Sequence, residues 1–183
     1  WAWLVGTAMS LGVLHVLDST TASFTWEIEK RDDGLWYRKT VETPYSGGAF
    51  TLHSNGKKKS EAIFKHGLLD GVMRGWYANE QKGTEINYKN GKIHGLKIGW
   101  HSNGNKAAEA NFRHGKKHGL ETEWFPSGVK QFEINFNNGK LDGTWTTWTE
   151  KGTKFAERTF DHGKPLSLKS WNEKGELQMS LKE

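Results

Sequence analysis

An all-β repeat fold is what this sequence predicts: an elongated single-layer antiparallel β-meander of 24-residue hairpin repeats, preceded by one N-terminal transmembrane helix. Three observations predict it. Glycine returns every 24 residues, at Gly67, Gly91, Gly115, Gly139 and Gly163. Turn dipeptides such as Asn90-Gly91 and Asn103-Gly104 divide each unit in two. Residues 1–17 carry no charge and are mostly apolar.

The period extends well beyond one glycine. Four residues after the first four come Gly71, Gly95, Gly119 and Gly143, and nine after them Trp76, Trp100, Trp124 and Trp148. Offset 18 holds Glu85, Glu109, Glu133 and Glu157, and offset 21 holds Tyr88, Phe112, Phe136 and Phe160. One unit back stand Gly47, Gly56, Glu61 and Phe64. The last unit has lost one residue, so Trp171 and Gly175 come one place early. Offset 13 is Gly104, Gly128 and Gly152, with Glu80 as the exception. Self-similarity at one period outranks other signals, because each unit must stack on its neighbours to bury anything.

Asn90-Gly91 and Asn138-Gly139 are strong hairpin dipeptides, since both residues tolerate φ > 0, and His66, His114 and His162 fill the same slot before glycine. Asn103-Gly104 and Ser127-Gly128 mark the opposite turn. The segments between turns, about seven residues each, suit one strand. Without bulges, alternation puts Leu96, Ile98 and Trp100 on one face, and Ala108, Ala110 and Phe112 likewise on the next strand. Tryptophan and Tyr/Phe then recur on one side, with the offset-18 glutamates, Lys97 and His101 on the other. Glycine at offset 4 or 8 is expected to leave room for a neighbouring indole.

The composition agrees. Only 34% of residues are hydrophobic, against 22 Gly and 10 Trp, which suits thin β-structure with many turns. A net charge of +5 permits an anionic partner or lipid surface without requiring one. With no Cys there is no disulfide framework, thiolate metal site or cysteine nucleophile.

Residues 1–17 read best as a transmembrane anchor. As a helix they rise ~26 Å, near the ~30 Å of a bilayer core. Trp1 and Trp3 suit one interface, and Leu4, Leu11, Leu14 and Leu17 suit the apolar interior. A signal peptide leaving at Thr20-Thr21-Ala22 and a buried core helix are the competing readings. The sequence opens on Trp rather than Met, which leaves room for an anchor longer than residues 1–17. No Lys or Arg follows until Lys30, which leans towards a periplasmic, extracytoplasmic repeat domain. Residues 18–23 read as a linker, 24–46 as an N-terminal cap hairpin and 47–183 as the repeats.

The units Tyr88-Lys89-Asn90-Gly91-Lys92-Ile93-His94-Gly95 and Trp100-His101-Ser102-Asn103-Gly104 resemble MORN-type repeats, most closely the bacterial MORN-variant repeats labelled antitoxin-like. Gly34-Leu35-Trp36-Tyr37 followed by Thr43-Pro44-Tyr45-Ser46-Gly47 resembles that family's lead-in. The resemblance covers roughly residues 26–182 and implies an elongated antiparallel sheet used for protein–protein or membrane-proximal contacts.

Catalytic patterns are missing from the sequence. His94 and His118 share an offset with Asp70 and Asp142, but sites two strands apart, ~10 Å, do not converge on a metal. A periodic glutamate row makes its carboxylates alike, whereas acid–base catalysis needs them unequal. The glycines are isolated turn residues rather than a phosphate loop. Lysines beside both turns are matched by acid in every unit, which argues against nucleic acid. The expectation is therefore a protein with no enzyme activity, cofactor or metal. It would be a membrane-anchored scaffold or accessory subunit binding a protein assembly, an integral membrane complex, beside membrane lipid. Trp76, Trp100, Trp124, Trp148, Tyr88, Phe112, Phe136 and Phe160 are the candidate contacts, or equally the sheet's own core. The alternative is a soluble or exported antitoxin-like module that neutralises one protein.

Overall fold

A computed structural model describes residues 14–17 and 25–182. Among the described residues sixteen strands make one sheet. The first are β1 (Leu14–Leu17), β2 (Thr25–Lys30) and β3 (Trp36–Arg38). Then come β4 (Gly47–Leu52), β5 (Lys58–Lys65), β6 (Leu68–Leu69) and β7 (Gly71–Trp76). The regular array is β8 (Lys82–Lys89), β9 (Lys92–Trp100), β10 (Lys106–Arg113), β11 (Lys116–Trp124) and β12 (Lys130–Asn137). It ends with β13 (Lys140–Trp148), β14 (Lys154–Asp161), β15 (Lys164–Trp171) and β16 (Leu177–Lys182). From β16 to β7 the order in space is the order in sequence, and β5, β4, β1, β2 and β3 continue it. β6 pairs with β5, so β6 and β7 are one strand interrupted at Asp70.

The expected meander is present, and both turn types follow from their dipeptides. On one edge His66, Asn90, His114, Asn138 and His162 have φ between 49° and 51°, and the glycine after each is also positive. Two positive φ values in succession define the two-residue hairpin turn that matches strand twist. On the other edge the Gly104 N–H donates to the His101 carbonyl at 2.9 Å and the His101 N–H to the Asn105 carbonyl at 2.8 Å. That is a three-residue loop closed by a left-handed glycine, φ 90° at Gly104.

Glu80 takes the same left-handed conformation, φ 67°, without being glycine. A side chain there costs roughly 1 kcal/mol, and the exposed Lys57–Glu80 ion pair returns only about 0.5 kcal/mol. Glu80→Gly is therefore expected to raise the thermal midpoint by about 2 °C, followed by circular dichroism. A fall would mean that the ion pair outweighs the strain.

Successive units are also tied along both edges. The N–H groups of Gly91, Gly115, Gly139 and Gly163 donate to carbonyls of Leu69, Ile93, Lys117 and Leu141 at 2.7–2.8 Å. On the far edge the Tyr77 hydroxyl donates to the Trp100 carbonyl at 2.7 Å, and Asn103 Nδ2 to the Pro126 carbonyl at 2.8 Å. Each turn therefore rests on the next.

The N-terminal region corrects one expectation and leaves another outside the described residues. Leu14–Leu17, expected as the last turn of a membrane helix, form β1, paired with β2 over four residues and with β4 through His15 and Phe50. The physical reason is the backbone: without β1 the facing edges of β2 and β4 would leave donors and acceptors unpaired. Leu14 and Leu17 are thus strand residues. Trp1, Trp3, Leu4 and Leu11, with residues 18–23, lie outside the described set. Among the described residues no helix is long and apolar enough to cross a membrane.

The hairpin β2–β3 forms as expected, its turn closed by the Gly34 N–H on the Arg31 carbonyl at 2.9 Å. It also does something the sequence reading did not anticipate. The Trp36 N–H donates to the Gly67 carbonyl at 2.9 Å, and the Gly67 N–H to the Tyr45 carbonyl at 2.8 Å. Ile28 and Tyr45 join Ala49, Ala62, Phe64 and Met73 in one core cluster, against which Trp36, Leu69 and Tyr88 pack. The sheet start thus curls back over one face, and Phe64 is only 2% exposed.

Candidate protein-binding faces

Each hairpin of the regular array contains a bulge, and the bulges decide which residues share a face. Trp100 stands opposite Lys106, yet Gly99 stands opposite Ala108, so Ala107 has no partner. The same extra residue follows Lys82, Lys130 and Lys154. Unbulged pairing would have set Ile98 against Ala108. In the structure Ile98 faces Glu109 and Lys97 faces Ala110. Directly opposed residues point to one side of a sheet.

One face carries the row Met73, Ile86, Lys97, Ala110, Glu121, Ile134 and Trp145, each opposite the next. Beside it run the offset-21 rings. Phe64, Tyr88, Phe112, Phe136 and Phe160 stand opposite Gly47, Gly71, Gly95, Gly119 and Gly143. This is the aromatic face. The opposite, ionic face carries Arg74, Glu85, Ile98, Glu109, Thr122, Glu133, Thr146 and Glu157, again opposed in series. Two residues along the strand from Arg74, Ile98, Thr122 and Thr146, on the same face, are Trp76, Trp100, Trp124 and Trp148.

The tryptophans and the Tyr/Phe row therefore lie on opposite faces, and the glutamates share the tryptophans' face while Lys97 does not. The sequence reading had this reversed because it counted alternation straight through the bulges. The offset-4 glycines also serve another purpose than admitting an indole. Their φ values are 129°, 86°, 89° and 95°, which disfavour a side chain, and their cross-strand partners are the Tyr/Phe rings.

On the ionic face the chemistry is closed on itself. Lys58, Lys82, Lys106, Lys130 and Lys154 each lie 5.1–5.5 Å from the ring centroid of Trp76, Trp100, Trp124, Trp148 and Trp171 respectively. Each of those lysines also pairs with the glutamate three residues on, at 2.6–3.3 Å. One ammonium thus serves an indole and a carboxylate together. Near the sheet start a groove of about 390 Å³ is lined by Phe50, Leu52, Lys58, Glu61, Ile63, Val72 and Arg74, among others.

Arg74 bridges Glu61 at 3.2 Å and Glu85 at 3.1 Å. Burial alone would raise both carboxyls, but hydrogen bonds from Arg74, Lys58 and Lys82 outweigh it and hold both below the usual value. A depressed carboxyl stabilises the fold above its unfolded value and loses that contribution as pH falls through its folded one. Wild-type protein should lose stability below about pH 4 more steeply than Arg74→Met. Urea midpoints across that range, equal in slope for both proteins, would show that the bridge contributes nothing.

The aromatic face is covered unevenly. Trp36 and Tyr45 stand 5.6 and 5.9 Å from Phe64, ring to ring, and Tyr88 packs against the same cluster. At the other end Phe160 is 8% exposed, with Trp145 at 6.4 Å. Between them Phe112 and Phe136 are half-buried, beside the buried Ala108 and Ala110. Charge enters here. Lys117 donates to both carboxylate oxygens of Glu121, 2.6 Å to Oε1, and lies 4.9 Å from the Phe136 ring. Glu121 is 7% exposed. Burial first, then Lys117, pushes the neighbouring Lys97 ammonium below the usual lysine range, and Glu121 opposes them.

Sequence reasoning placed Lys97 with the glutamates and passed over Lys117 and Glu121, although a signal existed. Lys97 and Glu121 occupy the repeat position of Met73, and Lys117 that of Ile93 and Leu141. A charge where other units place an apolar residue marks a departure from pure architecture.

His94 and His118 have turn roles. Nδ1 of His94 and of His118 accepts the backbone N–H of His114 and Asn138 at 3.5 Å, as an Asp70 oxygen accepts that of Asn90 at 3.0 Å. Asp142, Asp161 and His162 bring three possible ligand atoms within 4.8 Å of one another, a convergence that strand spacing did not suggest. The Asp161 carboxylate hydrogen-bonds the His162 ring and, with Asp142, raises its pKa.

A family model described as MORN repeat variant matches residues 117–138, which span β11, its turn and β12. The chain contains a MORN-type repeat. No curated protein matches it. The MORN-type match and the meander make a repeat-based protein-binding module, and the bulges, turns and Lys–Trp–Glu sets at residues 117–138 recur in the flanking units.

Proposed function

We propose that this MORN-type chain is a non-catalytic scaffold or accessory subunit, anchored in a membrane, whose aromatic face binds a protein assembly at the membrane surface. The observation that carries this reading is the uneven cover of that face. The chain spends its own hairpin on Phe64 and leaves Phe112 and Phe136 half-buried beside a charged cluster of Lys97, Lys117 and Glu121. Apolar surface ringed by polar groups is the usual form of a docking patch. The ionic face is the weaker candidate, because each of its tryptophans is already stacked by a lysine.

The anchor is argued from the charge-free residues 1–13. As a helix these would rise ~20 Å, against the ~30 Å of a bilayer core. A periplasmic position for the sheet fits the lack of Lys and Arg before Lys30.

The test is a tagged chain taken from its native membrane. It should stay in the membrane through a carbonate wash and, in mild detergent, co-purify with a fixed set of membrane subunits at constant ratio. Release by carbonate, with recovery of the chain alone or with one soluble protein, would favour the antitoxin-like reading.

A further inference from the structure

The two ends of the sheet are finished differently. At the N-terminal end β3 has three residues, and its edge is met by the chain itself: the Tyr45 N–H donates to the Trp36 carbonyl at 2.8 Å, and Tyr37 bridges to Pro44. At the other end β16 is six residues long, exposed throughout, and paired only with β15 among the described residues. Leu177, Met179 and Leu181 are 55%, 39% and 49% exposed. A long apolar edge with open donors and acceptors is a template for another strand. Shortness and a covering segment, two of the devices that usually block such an edge, are present at β3 and missing from the outer side of β16 among the described residues.

We infer that β16 pairs with β16 of a second copy of this chain, antiparallel about Met179, to join two sheets end to end. The segment is self-complementary in that register. Glu176 then stands opposite Lys182, Leu177 opposite Leu181, Gln178 opposite Ser180, and Met179 opposite itself. Opposed residues share a face, so the two Glu–Lys pairs and the Leu–Met–Leu strip form together. Parallel pairing in register would instead set Lys182 beside Lys182 and Glu176 beside Glu176. The Glu176 carboxylate accepts one hydrogen bond from Asn172 at 2.8 Å, which leaves it acceptor capacity for a lysine across the interface. Because the two-fold uses one surface twice, the contact closes on a dimer rather than a fibre. This inference is independent of membrane anchoring.

The chain contains no cysteine, which makes the test clean. Met179→Cys in the full chain, in mild detergent, places one thiol at the two-fold. Oxidation or a short bis-maleimide should give a covalent dimer, while Leu120→Cys, comparably exposed on the ionic face, should not. In the Met179→Cys background, Lys182→Glu should cut the yield about tenfold by setting like charges opposite each other twice. Adding Glu176→Lys should restore it, since both charges are then exchanged. The idea is overturned if Met179→Cys cross-links no better than Leu120→Cys, or if the double charge exchange fails to rescue. It is equally overturned if the Met179→Cys variant is monomeric yet its introduced thiol is shielded from maleimide, because another segment then covers the edge. All of these positions are exposed, so unchanged circular dichroism is expected for every variant.

Discussion

Gly67→Ala should destabilise the protein by about 3 kcal/mol, while the equivalent Gly163→Ala should cost only about 1 kcal/mol. Both glycines follow a histidine in the same kind of turn, with φ of 77° and 93°. Any side chain there carries the left-handed penalty of roughly 1 kcal/mol. At Gly163 nothing lies within 4 Å of an added Cβ. At Gly67 that atom would fall 2.8 Å from Leu35 Cβ, 3.1 Å from Pro44 Cβ and 3.2 Å from the Trp36 nitrogen. The cap would have to retreat, loosening the hydrogen bonds through the Gly67 N–H and carbonyl, each worth about 1 kcal/mol. Urea unfolding followed by tryptophan fluorescence measures both. Equal losses would mean that the cap is not seated on Gly67.

Phe64→Ala should be costlier still, about 3–5 kcal/mol, as for a phenylalanine removed from a closed core. Its ring is 2% exposed between Trp36 and Tyr45. Phe112 occupies the same repeat position but only half-buried, with no cap above it, so Phe112→Ala should cost about 1–2 kcal/mol. The contrast separates core from open surface along one row of identical register. Similar losses at both sites would show that the row is covered along its length.

The repeat was legible because its causes are local. Asn-Gly and His-Gly dipeptides set the two-residue turns, and the 24-residue spacing set the strand lengths. The faces were not legible, because one unpaired residue such as Ala107 reverses the sidedness of everything beyond it. No composition signal distinguishes that alanine from Ala108. The cap's position was equally hidden. Its hairpin was plain in Asp32-Asp33-Gly34, but its docking depends on Gly67, a residue whose own turn already explained it. Leu14–Leu17 look alike as helix end or strand, and only the open edges of β2 and β4 choose between them. The charges on the aromatic face were visible as departures from the repeat once the Met73 row was aligned.

The most direct measurement is on the double variant Phe112→Ala/Phe136→Ala, expressed as the full tagged chain and recovered in mild detergent. Thermal unfolding should shift by about 4–16 °C for some 2–4 kcal/mol, while the co-purifying membrane subunits are lost. Retention of those subunits at the wild-type ratio would contradict docking on the aromatic face, and global unfolding of the variant would show that Phe112 and Phe136 are core.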